Sequence, residues 1–551
     1  MSLNSYAFVF VFLPVAVSIF WLIADRARQS GAFLWLTACS LAFYASTGFT
    51  GLVVVLPSIA FDYVIANAML HLRPDQRVLR RILFTTGIAA NVALLGYLKY
   101  RAFFFETLGT LFATHFELVQ LLVPLGLSFL VFQKISFLSD IRSGQIQSVR
   151  FLDFLLFTLF FPRVIAGPVV RYGEIVPQFS SLAARRSSAN LAIGLALFAI
   201  GLFKKSALAD NVARLAVIDF ADTPSLYAAW MAMLAYTLQV YFDFSGYSDM
   251  ALGVARMFGI KLPMNFNSPL KATSILDFWG RWHISLTRFL MDYIYTPIIM
   301  ELTRIRLREG KPVLHSERPT LGAIMKLIAI PTFVTLVTSG VWHGAGWPFV
   351  AWGVLHAIYV TINQTWRLFR PRLWPDRKSY DRFMKPVGFA LTFISVVIAL
   401  VFFRAPSVFS GFGMVRAMLG VNGLFDQLGV LQQLGFKIDV FQWYVQPMVC
   451  IFGLLVAVTI LPNSLEILQQ FHPALDFAQA PGSLQARDLT STRLGDAGTV
   501  HSICYWRRVL PALLQYKVSS LDRFTAIIAA LLCILGVASL SRAAPFFYAQ
   551  F

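Results

Sequence analysis

Apolar residues in this chain come in long blocks rather than at the spacing of a half-buried helix or strand. As a helix, a block of about 20 apolar residues reaches across the roughly 30 Å hydrocarbon core of a bilayer. Such blocks predict membrane-embedded helices near 6–24, 31–48, 51–70, 82–98, 119–138, 151–170, 189–208, 226–242, 327–341, 348–366, 386–403, 442–461 and 522–541. Several are short or interrupted by Pro and Gly, so the pattern predicts roughly 10 to 13 membrane-embedded helices, some of them re-entrant. The expected fold class is an all-α polytopic integral membrane protein. The first block has no basic residue before it and is followed by Asp25, Arg26 and Arg28, the pattern of a retained span rather than a cleaved leader.

Composition agrees and adds orientation. Hydrophobic residues make up 58% of the 551 positions and charged residues 13%, with a mean hydropathy of +0.68. Soluble globular chains carry about 25% charged residues, so a soluble enzyme and a disordered chain are excluded. Lys and Arg number 46 against 27 Asp and Glu, a net charge of +19. In so apolar a chain this excess marks cytoplasmic loops beside anionic lipid, not a nucleic-acid surface. The bases cluster at Arg73, Arg77, Arg80 and Arg81, at Arg185 and Arg186, from Arg304 to Arg318, and from Arg367 to Lys385. Cys39, Cys450, Cys504 and Cys533 form no CxxC pair and suggest neither zinc nor a disulfide framework. One polar stretch, 462–520, reads as an extramembrane loop within a single membrane domain spanning 1–551.

Charge inside a bilayer is costly, so polar residues within apolar blocks are candidates for function. Three stretches qualify. In LQVYFDFSGYSDMALGVARMFGIKLPMNFNSP the candidates are Asp243, Ser245 and Asp249, around Gly246. Six residues on a continuous helix turn through about 240°, so the two carboxylates do not share a face unless the helix unwinds at Gly246. Capping or ion pairing is the alternative for both. In ATSILDFWGRWHISLTRFLMDYIYTPI, Ser274 and Asp277 form a capping box, and Asp277 and Arg281 an i, i+4 pair. Arg281, Ser285, Arg288 and Asp292 would then form one polar stripe on a helix lining an aqueous cavity or lying in the interface. His283 points away from that stripe and, on this helix alone, reads as structural.

The third stretch, VTSGVWHGAGWPFVAWGVLHAIY, surrounds His343 with Gly340, Gly344 and Gly346, with Trp342 and Trp347 beside it. Glycines and Pro348 oppose a continuous helix here. The two apolar arms, 327–341 and 349–366, are expected to form a hairpin between cytoplasmic loops, with His343 near its turn and within the membrane's depth. An imidazole there suits a general base for acyl transfer. The glycines would admit a thin substrate and the tryptophans wall its path. A histidine satisfied by a hydrogen bond at a helical turn is the alternative. His343 and His356 lie 13 apart, but the Gly-Ala-Gly-Trp-Pro run between them opposes a two-level haem helix. No HExxH, P-loop or GxSxG occurs, so neither a metal nor a nucleotide site is expected.

Two runs carry a resemblance: YFDFSGYSDMALGVARMFGIKLPMNFNSPLKATSILDFWGRWHISLTRFLMDYIYTPI, and SGVWHGAGW about 40 residues later. Together they are similar to the membrane-bound O-acyltransferase (MBOAT) family, with greatest likeness to its bacterial alginate-acetylating branch. VPLGLSFLVFQKISFLSDIRSGQI and FFPRVIAGPVVRYGEIVPQF agree with it. The resemblance implies short and re-entrant helices around a central cavity, His343 as the catalytic histidine of the WHG motif, and His283 lining the same cavity and assisting. Asp243, Ser245, Asp249, Arg281, Trp342 and Trp347 become cavity-lining candidates. It further implies no permanently bound cofactor, acetyl-CoA as cytoplasmic donor, a periplasmic acetyltransferase partner, a polysaccharide acceptor and residence in the bacterial inner membrane. After Pro297 the family's alginate-type segment continues with a Gly pair, whereas here Ile298, Ile299 and Met300 follow. That departure, shared with the branch transferring D-alanyl groups to teichoic acids, keeps a carrier-protein thioester as an alternative donor. A transporter or channel is the rival outside enzymes.

Overall fold

A computed structural model describes residues 1–26, 29–114, 116–119, 121–217, 220, 224–314, 320–425, 444–475 and 523–540. The described residues form helices, turns and extended segments, with one isolated bridge between Pro263 and Leu475 and no β-strand. Among the described residues six helical stretches are long and apolar enough to cross a membrane: Phe8–Asp25, Phe49–His71, Arg77–Phe112, Ser188–Val212, Leu321–His343 and Arg377–Arg404. Val408–Met418, Gln446–Ile460 and Ala526–Ala538 are shorter apolar helices.

Two of the expected blocks differ in form. The block 119–138 starts its helix only at Leu127, because Pro124 and a left-handed Gly126 (φ 74°) precede it. The block 151–170 is helical only over Phe151–Leu159. Pro162, Gly167 and Pro168 then stop the helix, yet residues 160–170 are buried throughout. Irregular backbone at membrane depth requires such enclosure by protein. Phe161 N–H donates to the Ser40 hydroxyl (3.3 Å), and Arg163 donates to the Phe157 carbonyl. Most of the polar stretch 462–520 lies outside the described residues; its start forms the short helix Ser464–Ile467, capped by Asn463.

The chain folds into two compact units. One comprises the described residues of Met1–Ala207, Phe244–Asn265 and Ile460–Gln550; the other those of Leu208–Asp243 and Phe266–Thr459. In the first, three helices meet at a buried polar cluster. Lys134 pairs with Asp62 at 3.0 Å, and Asn91 donates to the other Asp62 oxygen at 2.7 Å. Elsewhere in this unit Asp249 accepts from Lys204 and from the Ser464 hydroxyl, both at 2.7 Å. Gly194 faces Gly253 and Gly201 faces Gly246 where two helices cross, so closely that backbone meets backbone. Small residues at such crossings are the membrane protein's means of close packing. Gly246 therefore serves contact, not a break: the helix Leu226–Met257 runs through it.

In the second unit the helices Ile330–His343 and Trp347–Leu373 form a hairpin, as the sequence predicts. The helix Arg377–Arg404 follows after a short turn capped by Asp376, whose carboxylate accepts from Lys378 N and Ser379 N. Gly388 on that helix meets the Thr273 carbonyl, where a Cβ would come within 2.4 Å.

The Gly201–Gly246 crossing yields a prediction. In Gly201→Val the new Cβ would lie 2.5 Å from the Gly246 carbonyl oxygen. Overpacking of this kind costs about 1–3 kcal/mol. A thermal melt of the detergent-solubilised protein, followed by size-exclusion, is expected to show a lowered midpoint. Gly453→Val, where no described atom lies within 4 Å of the new Cβ, is expected to leave it unchanged.

Candidate functional site

Both candidate histidines belong to the second unit, and local backbone chemistry places each. Ser274 caps the helix Ile275–Trp279: its hydroxyl accepts from Asp277 N at 3.1 Å, while the Asp277 carboxylate accepts from Thr273 N at 3.1 Å. The other Asp277 oxygen holds Arg281 at 2.6 Å, so the predicted i, i+4 pair forms. Arg281 is further fixed by the Asn267 backbone, donating to its carbonyl and accepting its N–H.

The continuous polar stripe expected from Arg281 to Asp292 does not form. The helix ends at Gly280, and a new one, Ile284–Leu290, begins only after His283. Between them His283 takes a left-handed conformation, φ 43° and ψ 50°. A non-glycine residue pays roughly 1–3 kcal/mol for that geometry, and such residues cluster at functional sites. The break changes the direction of the imidazole: counting from Arg281 along an unbroken helix no longer applies, and His283 is 1% exposed.

His343 is the last residue of the hairpin's first arm. Gly344 and Gly346 are extended, and the second arm starts with Gly346 as its cap and Pro348 in its first turn, where a missing N–H is harmless. The arms close on each other through glycine. A Cβ at Gly340 would stand 2.3 Å from the Phe349 carbonyl oxygen, and one at Gly353 2.6 Å from that of Leu336. At Gly344 the Phe349 ring fills the space, 2.1 Å from a built Cβ. The expectation that these glycines admit a substrate thus gives way to a packing role at Gly340 and Gly344.

An aromatic shell surrounds the His343 ring, which is 4% exposed. Trp342, Trp352 and Phe403 approach it edge-on, with centroids at 4.8, 5.2 and 5.2 Å. The Trp342 ring also reaches His283, at 6.3 Å. Trp342 therefore touches both imidazoles, and the structure brings His283 and His343 to the same tryptophan. Near-perpendicular approaches of this kind suit the ring quadrupoles and hold orientation.

The other candidates take different places. Asp243 is buried in the same unit, near the middle of Leu226–Met257. Ser245 and Asp249 belong to the first unit, where Lys204 and Ser464 engage Asp249. Arg281 is committed to Asp277. Trp347 stands at the start of the second arm and is 55% exposed, unlike the enclosed Trp342. Sequence reasoning did not single out Trp352, Phe403 or Trp279, and considered His356 only as a haem ligand. The available signal was spacing: Trp352 and His356 are one helical turn apart on the arm that faces His343. Among the described residues no group of three or more His, Cys, Asp or Glu side chains could hold a metal.

The model of the MBOAT, membrane-bound O-acyltransferase family matches residues 141–307. That span includes His283 and the DFSGYSD segment and ends before His343. A peptidoglycan O-acetyltransferase of Helicobacter pylori is 36% identical over 450 residues, covering 76% of this chain and 80% of that protein. The probable alginate O-acetylase AlgI of Pseudomonas aeruginosa is 32% identical over 76% of this chain and 75% of its own. A teichoic acid D-alanyltransferase of Streptococcus thermophilus is 27% identical over 53% of this chain and 69% of its own. With relatives of this identity and coverage, and with apolar helices able to span a bilayer several times, the chain belongs to the membrane-bound O-acyltransferase family as a multi-pass membrane protein.

Proposed function

We propose that this protein transfers an acetyl group from cytoplasmic acetyl-CoA towards a hydroxyl of a cell-envelope glycan, directly or through a periplasmic acetyltransferase partner, in the bacterial inner membrane. The observation that carries the reading is the joint contact of His283 and His343 with Trp342 inside a buried aromatic shell. His343 would accept the proton of the attacking hydroxyl as its oxygen bonds to the acyl carbon. The carbon–sulfur bond then breaks, and the imidazolium returns that proton to the departing thiolate. His283 would orient the donor or polarise its carbonyl. Exclusion of water by the surrounding rings favours transfer to the acceptor over hydrolysis.

The acceptor divides between two polymers. The alginate-type motifs support an exported polysaccharide. The 36% identity to a peptidoglycan O-acetyltransferase supports peptidoglycan as the second reading. A carrier-protein thioester as donor draws support from the D-alanyltransferase relative and from the missing glycine pair after Pro297. Purified protein given labelled acetyl-CoA, with an acyl-carrier protein in a parallel arm, separates the donors; analysis of the labelled glycan names the acceptor. Solute uptake by proteoliposomes lacking any acyl donor would favour a transporter instead.

His343→Ala is expected to lower transfer by about 10²–10⁴-fold, the usual contribution of a general base, with membrane insertion intact. Substantial retained transfer would remove His343 from this role. Sidedness has its own probe. Gly346 leaves room for a side chain, with Pro348 Cδ the nearest atom at 3.5 Å from a Cβ, and its backbone is extended. A cysteine there is expected to resist reagents confined to the cytoplasmic side; labelling by those reagents alone would reverse the orientation of the hairpin.

A further inference from the structure

His356 lies 2% exposed on the hairpin's second arm. Its Nδ1 has no hydrogen-bond partner among the described residues. What surrounds it is aromatic. Trp352, one turn earlier on the same helix, meets it edge-on at 4.7 Å, and Trp279 of the first short helix does so at 5.1 Å. Phe278 stacks over it, 6.4 Å away with planes 11° apart.

These contacts close a circuit. From His343 one path runs through Trp342 to His283. A second runs from His343 to Trp352, then to His356, then to Phe278. Phe278 in turn stacks on Trp282 at 5.6 Å, and Trp282 is the residue before His283. His356 is thus a junction at which the hairpin bearing His343 meets the turn bearing His283, beside the direct edge-on contact of Trp352 with Trp279 at 5.9 Å. The two imidazoles sit on separate helical elements. Their relative placement depends on what joins those elements at the back.

We propose that His356 is a positioning residue of the transfer site, whose ring sets the orientation of His343 through Trp352 and that of the His283 turn through Phe278 and Trp279. The inference rests on the acyl-transfer reading above. It assigns the work to the flat ring and not to a hydrogen bond, because the surroundings are ring faces and edges. A displacement of reacting groups by about 1 Å costs on the order of 10²-fold in rate, so a loosened junction is read directly in turnover.

The test uses the full chain in detergent or proteoliposomes. His356→Ala is expected to lower kcat per folded molecule by about 10- to 100-fold, with KM for the acyl donor unchanged. His356→Phe, which rebuilds the ring contacts, is expected to restore most of that loss. His356→Asn, which keeps a nitrogen but no ring, is expected not to. Unchanged kcat in folded His356→Ala, or rescue by Asn and not by Phe, overturns the proposal. A second readout needs no turnover: carbethoxylation of His343 by diethylpyrocarbonate, followed on its peptide by mass spectrometry. Its rate should rise several-fold in His356→Ala and fall back in His356→Phe; a rate the same in all three overturns the proposal. Loss of transfer from the wild-type protein would defeat the acyl-transfer reading alone, since the carbethoxylation comparison still judges the junction.

Discussion

Backbone contact between the two arms of the hairpin is the constraint on which the candidate site depends. At Gly340 and Gly353 each helix has no side chain where the other passes, so main chain rests on main chain. Only that proximity lets a residue at the end of one arm, His343, be enclosed by Trp352 on the other. Lipid tails are as apolar as leucine, so no hydrophobic force between the arms would do this by itself; packing must. The turn is made by extended Gly344 and Gly346, and Phe349 fills the space a side chain at Gly344 would need. A polar ring is thereby held where its neighbours are aromatic edges and where bulk water does not compete.

The same device appears in the first unit, where Gly194 and Gly201 meet Gly253 and Gly246 at seven-residue intervals on both helices. There it serves architecture and not chemistry. Several buried charges of that unit are paired within it: Asp62 with Lys134 and Asn91, Asp249 with Lys204 and Ser464. Removing one partner of such a buried pair costs about 3–5 kcal/mol, because the remaining charge stays enclosed. Embedded charge in this unit marks tertiary fastening.

That distinction explains what was legible in the sequence. Apolar blocks foretold the helices, and Gly and Pro foretold the hairpin around His343. The Ser274–Asp277–Arg281 chemistry was readable because capping and i, i+4 pairing are local. The helical count from Arg281 to His283 failed for the opposite reason. Beside the left-handed break at His283, Arg281 is clamped to Asn267, fourteen residues away, a contact that no helical periodicity reveals. Asp249 and Lys204 are 45 residues apart, and Ser464 lies far beyond both, so their pairing was equally invisible. His356 carried a signal, its one-turn spacing from Trp352. Its meaning required the contact with Phe278 and Trp279 on another element.

The buried irregular stretch 160–170 has a consequence for how the protein is made. A helix can enter lipid by itself because its backbone bonds are internal; this stretch cannot. Its shelter includes Phe258, whose ring meets Phe161 at 5.8 Å and which leaves the ribosome almost a hundred residues later. Until then the stretch must wait at the water interface or within the insertion machinery. Biogenesis of the first unit therefore cannot proceed strictly helix by helix. A chain interrupted between residues 170 and 258 should be a substrate for membrane quality control, however well its earlier helices insert.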